Sequence, residues 1–199
     1  MVQRYKRICT LMIAAALFAL AGCATSPPPT FYQLEEPAST QLSGLERGIA
    51  IGVGPVNMAA YLDRPQIVTR AEAHKLNLSE GNVWAEPLKQ SITRVIGVNL
   101  SNMLQTTRIF RFPTRNRAIP LAYRIALDIP RCDGTLGGDV QLVARWTLYK
   151  GQGEDALLTR VSIISEASGG EGYEKLITAQ NRALQALSRE IADAVKKAQ

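Results

Sequence analysis

Histidine is almost absent from this chain, which has one among its 199 residues. That residue, His74, lies beside Lys75 in a predicted turn, and no second His or Cys stands at the spacing of a metal site. A Ser-His-Asp triad would have to use His74 alone, and no nucleophile-elbow motif accompanies it. The sequence therefore predicts a protein that is not an enzyme, without a metal, and with His74 at the surface.

Long apolar runs are also missing. The longest covers residues 8–20, and about 20 apolar residues are needed to cross a bilayer. It follows Arg4, Lys6 and Arg7 and ends at Leu20-Ala21-Gly22-Cys23, where small residues give a peptidase access and a thiol can accept a lipid. This pattern resembles the lipobox of a bacterial lipoprotein, so we expect a signal peptide over 1–22 and lipid attachment at Cys23. The alternative is an uncleaved apolar helix.

Cysteine is scarce as well, with three in the chain. Cys9 would leave with the signal peptide and Cys23 would become a thioether, so Cys132 would have no partner for a disulfide. We expect Cys132 to be a small buried apolar residue, with a reactive thiol as the alternative. No cofactor is expected apart from the covalent lipid on Cys23.

Excess positive charge is small in the expected mature chain. The formal charge of +6 includes three signal-peptide cations, and without them 20 basic residues face 17 acidic ones. A balance of about +3 does not indicate nucleic-acid binding. The partner expected from the anchor is a membrane.

Residues 23–30 are predicted to be a lipidated cysteine and a tether. Three consecutive prolines, Pro27 to Pro29, favour an extended polyproline conformation that would hold the domain about 20 Å from the membrane. The residue after Cys23 is Ala24 rather than Asp, which resembles the sorting signal for the outer membrane in Gram-negative bacteria.

Residues 31–199 are predicted to form one α+β domain, with a mixed, mainly antiparallel sheet and two long helices on its apolar face. The final three strands should form an antiparallel meander, and Pro130 should mark an edge or a bulge. We expect a turn to end the second strand at Gly54-Pro55 and Asn82 to cap the first helix, which places Trp84 at the helix start. The predicted strands cover 31–34, 48–53, 66–70, 75–78, 108–112, 121–131, 139–150 and 156–166, and the predicted helices cover 83–104 and 173–198.

Alternation assigns the two faces of the meander. The inward face should carry Tyr123, Ile125, Leu127 and Ile129 of one strand, and Val140, Leu142, Ala144, Trp146 and Leu148 of the next. The polar face should carry Arg124, Asp128, Arg145, Arg160 and Glu166. Solvated ion pairs are the simpler interpretation of these charges, and a partner surface is the alternative.

Four segments in order carry a family resemblance: Phe31-Tyr32-Gln33-Leu34, Val53-Gly54-Pro55-Val56, Tyr61 through Arg70, and Trp84-Ala85-Glu86-Pro87-Leu88. Together they resemble the PqiC-type (YmbA-like) auxiliary lipoproteins of ABC-type transport systems linked to MCE-domain proteins. The resemblance implies an α/β sandwich similar to the N-terminal domain of TolB and brings no catalytic residues with it.

The resemblance also implies a function, which we state as an expectation. It is that of a non-catalytic subunit anchored to the periplasmic side of the outer membrane, docking an MCE-domain transporter subunit for intermembrane lipid transport and supporting membrane integrity. A homo-oligomer is one assembly that this function allows. A lipid carrier with an acyl-chain cavity and a general envelope scaffold remain alternatives. Co-purified lipid would favour the carrier, and a co-purified transporter protein would favour docking.

A partner-binding surface is predicted at the loop over 61–65, with residues Tyr61, Leu62, Arg64, Arg70 and Trp84. Tyr, Trp and Arg are enriched at interfaces, and Pro65 stiffens the loop, which lowers the entropic cost of binding. The alternative is structural: Asp63 and Arg64 pair with each other or cap the sheet, while Tyr61 and Leu62 fill the core.

Overall fold

The computed structural model describes residues 3–4, 27–37, 48–113 and 119–199. Most of the predicted signal peptide, the predicted lipidation site Cys23 and the first part of the tether lie outside these ranges. Within them, no helix is long and apolar enough to cross a membrane.

The described chain forms two sheets and two long helices. The smaller sheet has the strand order β1-β4-β3, and the larger has the order β5-β2-β6-β7-β8. In chain order the elements are β1 (Thr30–Tyr32), β2 (Ile51–Met58), β3 (Gln66–Glu72), β4 (Lys75–Trp84), α1 (Leu88–Leu104), β5 (Ile109–Arg111), β6 (Tyr123–Gly134), β7 (Asp139–Lys150), β8 (Ala156–Ala167) and α2 (Tyr173–Ala198).

The meander of β6, β7 and β8 is antiparallel, as the alternating pattern predicted. Its register shifts between Asp128 and Arg131, so Pro130 lies in a bulge. Strand β2 pairs in parallel with both β5 and β6, because the β3–β4 hairpin and α1 provide the crossover between β2 and β5. The predicted α+β class is confirmed, and the difference is that the strands divide into two sheets.

The core lies between the inner face of the larger sheet and the two helices. Both helices contact this sheet and each other. Trp146 is fully buried there, and its indole N–H donates to Ser162 Oγ at 2.9 Å, which in turn donates to Glu190 of α2. The inward residues predicted for β7 are all buried, as the period of two requires.

The predicted start of the first helix, its predicted cap at Asn82 and the predicted end of the second strand are wrong, and β6 runs to Gly134 instead of ending at Arg131. Helix α1 begins at Leu88 after Pro87, and Trp84 is the last residue of β4, because the residue before a proline avoids helical geometry. Strand β2 continues past Gly54-Pro55 to Met58 with a register shift instead of ending there. Gly54 has a φ of +131°, and a Cβ at this position would lie 2.1 Å from the Phe112 carbonyl oxygen.

Strand β4 also runs further than predicted. The break expected over 79–82 is an irregularity within the strand, where Ser79 Oγ accepts hydrogen bonds from the Asn82 backbone N–H at 2.9 Å and from Asn82 Nδ2 at 2.8 Å. A serine hydroxyl that replaces lost ladder bonds lets the strand resume pairing at Val83.

The predicted polar face of the larger sheet is wrong for two of its five residues, Arg160 and Glu166. Arg124 lies on the predicted face, opposite the core-facing Ile125, but it is buried there instead of solvated. Arg124 is 8% exposed, stacks 3.8 Å from the ring centre of Tyr149 and 5.0 Å from that of Phe112, and donates to the Gly153 carbonyl oxygen. Arg160 and Glu166 pair with Trp146 and Val140, so they lie on the helix side, where Glu166 accepts from Arg182. Asp128 and Arg145 face each other and are exposed, as expected.

Candidate partner-binding site

The loop between β2 and β3 is held in one shape by its backbone. The Leu62 N–H donates to the Ala59 carbonyl at 2.9 Å, and the Arg64 N–H donates to the Leu62 carbonyl at 3.0 Å. Leu62 is 2% exposed and belongs to the hydrophobic core, which fixes the middle of the loop. The Pro65 carbonyl accepts from the Trp84 N–H at 2.7 Å, so the loop is joined to the end of β4.

This junction encloses a cavity of about 260 Å³, which we call the Arg64 corner. It is lined by Asp63, Arg64, Pro65, Trp84, Ala85, Glu86 and Pro87. Arg64 is half-buried, and its buried Nε has no hydrogen-bond partner within the described ranges. Because a buried guanidinium N–H normally finds an acceptor, Arg64 keeps a donor that the described residues leave unsatisfied.

Glu86, which also lines the Arg64 corner, pairs with groups other than Arg64. Its Oε1 accepts from Ser91 Oγ at 2.6 Å and from Arg94 at 2.5 Å. These hydrogen bonds hold the pKa of Glu86 below its usual range. The bond from Ser91 has the largest effect, and the bond from Arg94 the next largest. Arg94 also pairs with Glu36, so this group ties α1 to the segment after β1.

Tyr61 and Arg70 lie away from the Arg64 corner, at the buried carboxylate of Asp133. Asp133 is 0% exposed and accepts from Tyr61 Oη at 2.6 Å, from Arg70 at 3.0 and 3.2 Å, and from Arg131 at 3.0 Å. Burial alone would raise the pKa of Asp133, but the hydrogen bonds from Arg70, Tyr61 and Arg131 outweigh it, so the pKa lies below its ordinary value. For Tyr61, burial and then the Asp133 hydrogen bond raise the pKa.

The five residues predicted to bind a partner therefore separate into three places. Arg64 and Trp84 share the Arg64 corner, although Trp84 is only 6% exposed. Tyr61 and Arg70 connect the smaller sheet to β6 of the larger one through Asp133, and Leu62 fills the core. Partner binding stays a prediction, now centred on Arg64. Sequence reasoning missed Asp133 because its partners Tyr61 and Arg70 precede it by 72 and 63 positions.

A larger cavity of about 440 Å³ lies between α1 and β5. Its lining includes Glu86, Arg94 and Arg111, three groups that carry charge at neutral pH. Charged walls do not suit an acyl chain, because apolar ligand sites are lined mainly by hydrophobic side chains. The described cavities therefore give no specific support to the acyl-carrier alternative.

Cys132 is buried, as the sequence suggested, and burial raises the pKa of its thiol to about 12, with a smaller contribution from Asp133.

The thiolate is the reactive form, so Cys132 should not react with a maleimide or an aromatic disulfide in the native chain at pH 7. It should react fully in denaturant. Titration of a Cys23→Ala mature chain checks this, and native labelling at the rate of a free thiol would contradict it.

The fold defines an α+β domain, and the described residues contain no group of three metal-ligating side chains. Residues 32–192 match the family of ABC-type transport auxiliary lipoprotein components. The chain belongs to this family. The predicted family assignment is thus confirmed, and so is the prediction that the chain is not an enzyme, because the family is a non-catalytic transport component.

Individual relatives agree with the family match. The chain is 25% identical over 170 residues to the intermembrane transport lipoprotein PqiC of Escherichia coli (strain K12), covering 84% of this chain and 86% of that protein. The same figures hold for PqiC of Shigella flexneri. A crystal structure of an uncharacterized protein gives a TM-score of 0.69 at 19% identity, covering 85% of this chain and 99% of that one.

A second crystal structure, of protein XCC0632 from Xanthomonas campestris, supports the same fold. It gives a TM-score of 0.65 at 16% identity, covering 82% of this chain and 92% of that one. At such identities the two structures support the fold alone. The likeness to the N-terminal domain of TolB stays a prediction.

Proposed function

We propose that this chain is a lipid-anchored subunit of an intermembrane transport system, on the periplasmic side of the outer membrane, where it docks an MCE-domain transporter subunit. The family match and the similarity to PqiC support transport, and the lipobox pattern at Cys23 supports the anchor. The absence of Asp after Cys23 supports the outer-membrane address.

The observation that carries the docking proposal is that Arg64, which lines a cavity, has a buried Nε with no partner among the described residues. A carboxylate or a carbonyl of the partner could accept from this guanidinium, and the neighbouring Pro65 and Pro87 offer rigid apolar contacts. Because the loop is already ordered by its backbone hydrogen bonds, binding there would lose little conformational entropy. The MCE-domain subunit is the partner that the family resemblance implies.

Substitution of Arg64 separates docking from a structural role. Arg64→Ala should weaken binding to the MCE-domain subunit by about 1–2 kcal/mol, or roughly fivefold to thirtyfold in Kd, because a partly desolvated Arg anchor is lost. The melting temperature should change little, because Nε has no partner among the described residues. Binding is measured on the purified mature chain, alongside thermal unfolding.

Arg145→Ala is the matched control, because Arg145 is an exposed arginine on the outer face of β7. It should leave both affinity and melting temperature unchanged. An Arg64→Ala chain with unaltered affinity and reduced stability would end the docking role of this loop. A pull-down with mass spectrometry of proteins and lipids tests the wider proposal, which fails if lipid co-purifies and no MCE-domain protein does.

A further inference from the structure

The β3–β4 hairpin extends beyond the packed part of the domain. Residues 71–75, which we call the hairpin tip, are all exposed, although successive strand residues point to opposite faces. Neither face of the tip is therefore covered by the described residues. Arg70, the residue before the tip, pairs with Asp133 of the larger sheet.

The strand register shows from which side the N-terminal segment arrives. Strand β1 runs parallel to β4, with Phe31 opposite Val83. Strand β4 starts at the hairpin tip and runs away from it, so a parallel β1 is entered from the side of the tip. The chain that leads back to Cys23 therefore approaches β1 from the direction in which the hairpin extends.

The length of the hairpin from the level of Phe31 to the tip is similar to the length of the tether from Phe31 back to Cys23. Gln66 is level with Val83, and Glu72 is level with Lys75, so six residues of β3, about 20 Å, separate the level of Phe31 from the tip. Cys23 precedes Phe31 by eight residues, which span at most about 25 Å in a polyproline conformation. A tether entirely in the polyproline conformation would place Cys23 only about 5 Å beyond the tip, and a less extended tether would bring Cys23 level with the tip.

We infer that the hairpin tip rests on the headgroup layer of the bilayer that holds Cys23 and sets the height of the domain above the membrane. This inference rests on the proposed lipid anchor. The tip carries Glu72, His74 and Lys75, polar side chains that suit the headgroup layer rather than the hydrocarbon, and Leu78, three residues further along β4, is 46% exposed. The tether length favours a bilayer as the partner of the tip, because so short a tether keeps the tip close to the membrane that holds Cys23.

Tryptophan quenching on vesicles tests the inference. The mature chain 23–199 contains the whole described core, from Leu34 to Val195. Its Cys23 thiol is coupled to a maleimide-headgroup lipid in phosphatidylcholine vesicles that also contain a lipid with a nitroxide on its choline. Chemical coupling supplies the anchor whether or not cells attach a lipid to Cys23, and buried Cys132 does not compete.

Ala73→Trp places the probe at the tip, and Glu154→Trp is the control in the turn between β7 and β8. Strand β7 leads from the end of the sheet near Asp133 to this turn over 12 residues, about 40 Å, so the control lies at the far end of the domain. Both variants keep the buried Trp84 and Trp146 as the same background.

We expect the nitroxide lipid to reduce the emission added by Ala73→Trp about twofold and to leave that added by Glu154→Trp nearly unchanged. Equal quenching of the two variants on coupled vesicles would overturn the inference. So would an Ala73→Trp emission that is already shifted to short wavelength in solution and insensitive to the vesicles, because a second copy or another part of the chain would then cover the tip. Whether cells attach a lipid to Cys23 is tested separately, by incorporation of labelled lipid in cells.

Discussion

Asp133→Ala is expected to lower the free energy of unfolding by about 2–4 kcal/mol. Removing one partner of a buried ion pair costs about 3–5 kcal/mol, and the partial exposure of Arg70 and Arg131 reduces this because water can solvate the abandoned cations. The substitution also leaves Tyr61 Oη without its acceptor. In a domain of this size the melting temperature should fall by roughly 6–12 °C.

Asp128→Ala is the control, because Asp128 is an exposed carboxylate on the same strand. It should change the unfolding free energy by less than about 1 kcal/mol. A loss of similar size in both variants would contradict the assignment of Asp133 as the link between the two sheets.

The effect of Asp133 should depend on pH in one direction. The folded-state pKa lies below the ordinary carboxyl value, so the stabilisation is fully present above that value and is lost as pH falls through the folded-state pKa. The difference in stability between the unchanged chain and Asp133→Ala should therefore be large at pH 7 and shrink in acid. Chemical denaturation at several pH values measures it.

Cys23→Ala should abolish lipid attachment completely. No other thiol stands at the expected cleavage junction, and Cys132 is buried inside the fold. Without several acyl chains the domain has no stable membrane anchor, because even a single chain gives only marginal binding. The variant should appear in the soluble fraction or remain as a precursor, and incorporation of labelled palmitate measures the loss.

Cys132→Ala is the matched control and should incorporate palmitate at the unaltered level. Labelling that persists in Cys23→Ala would refute the lipobox interpretation. Together the two variants distinguish an anchor at one cysteine from acylation of whichever thiol is present.

The local pattern of the sequence was sufficient to predict those features that depend on residues close together in the chain. Strand β7 spans Asp139–Lys150, as predicted, because uninterrupted alternation leaves a single way to bury Trp146 and its neighbours. The basic, apolar and small residues before Cys23 likewise sufficed to predict a lipoprotein. The family resemblance rested on segments that are themselves local.

Tertiary structure alone decided what depends on residues far apart in the chain. Alternation could not show that the register of β8 places Arg160 and Glu166 on the helix side, because that register is set by pairing with β7. The division of the strands into two sheets follows from pairing between strands that are distant in the chain, and the partners of buried Asp133, Tyr61 and Arg70, lie more than 60 positions away. Only when those segments pack together does burial strip water from Asp133, which makes its three hydrogen-bond donors necessary.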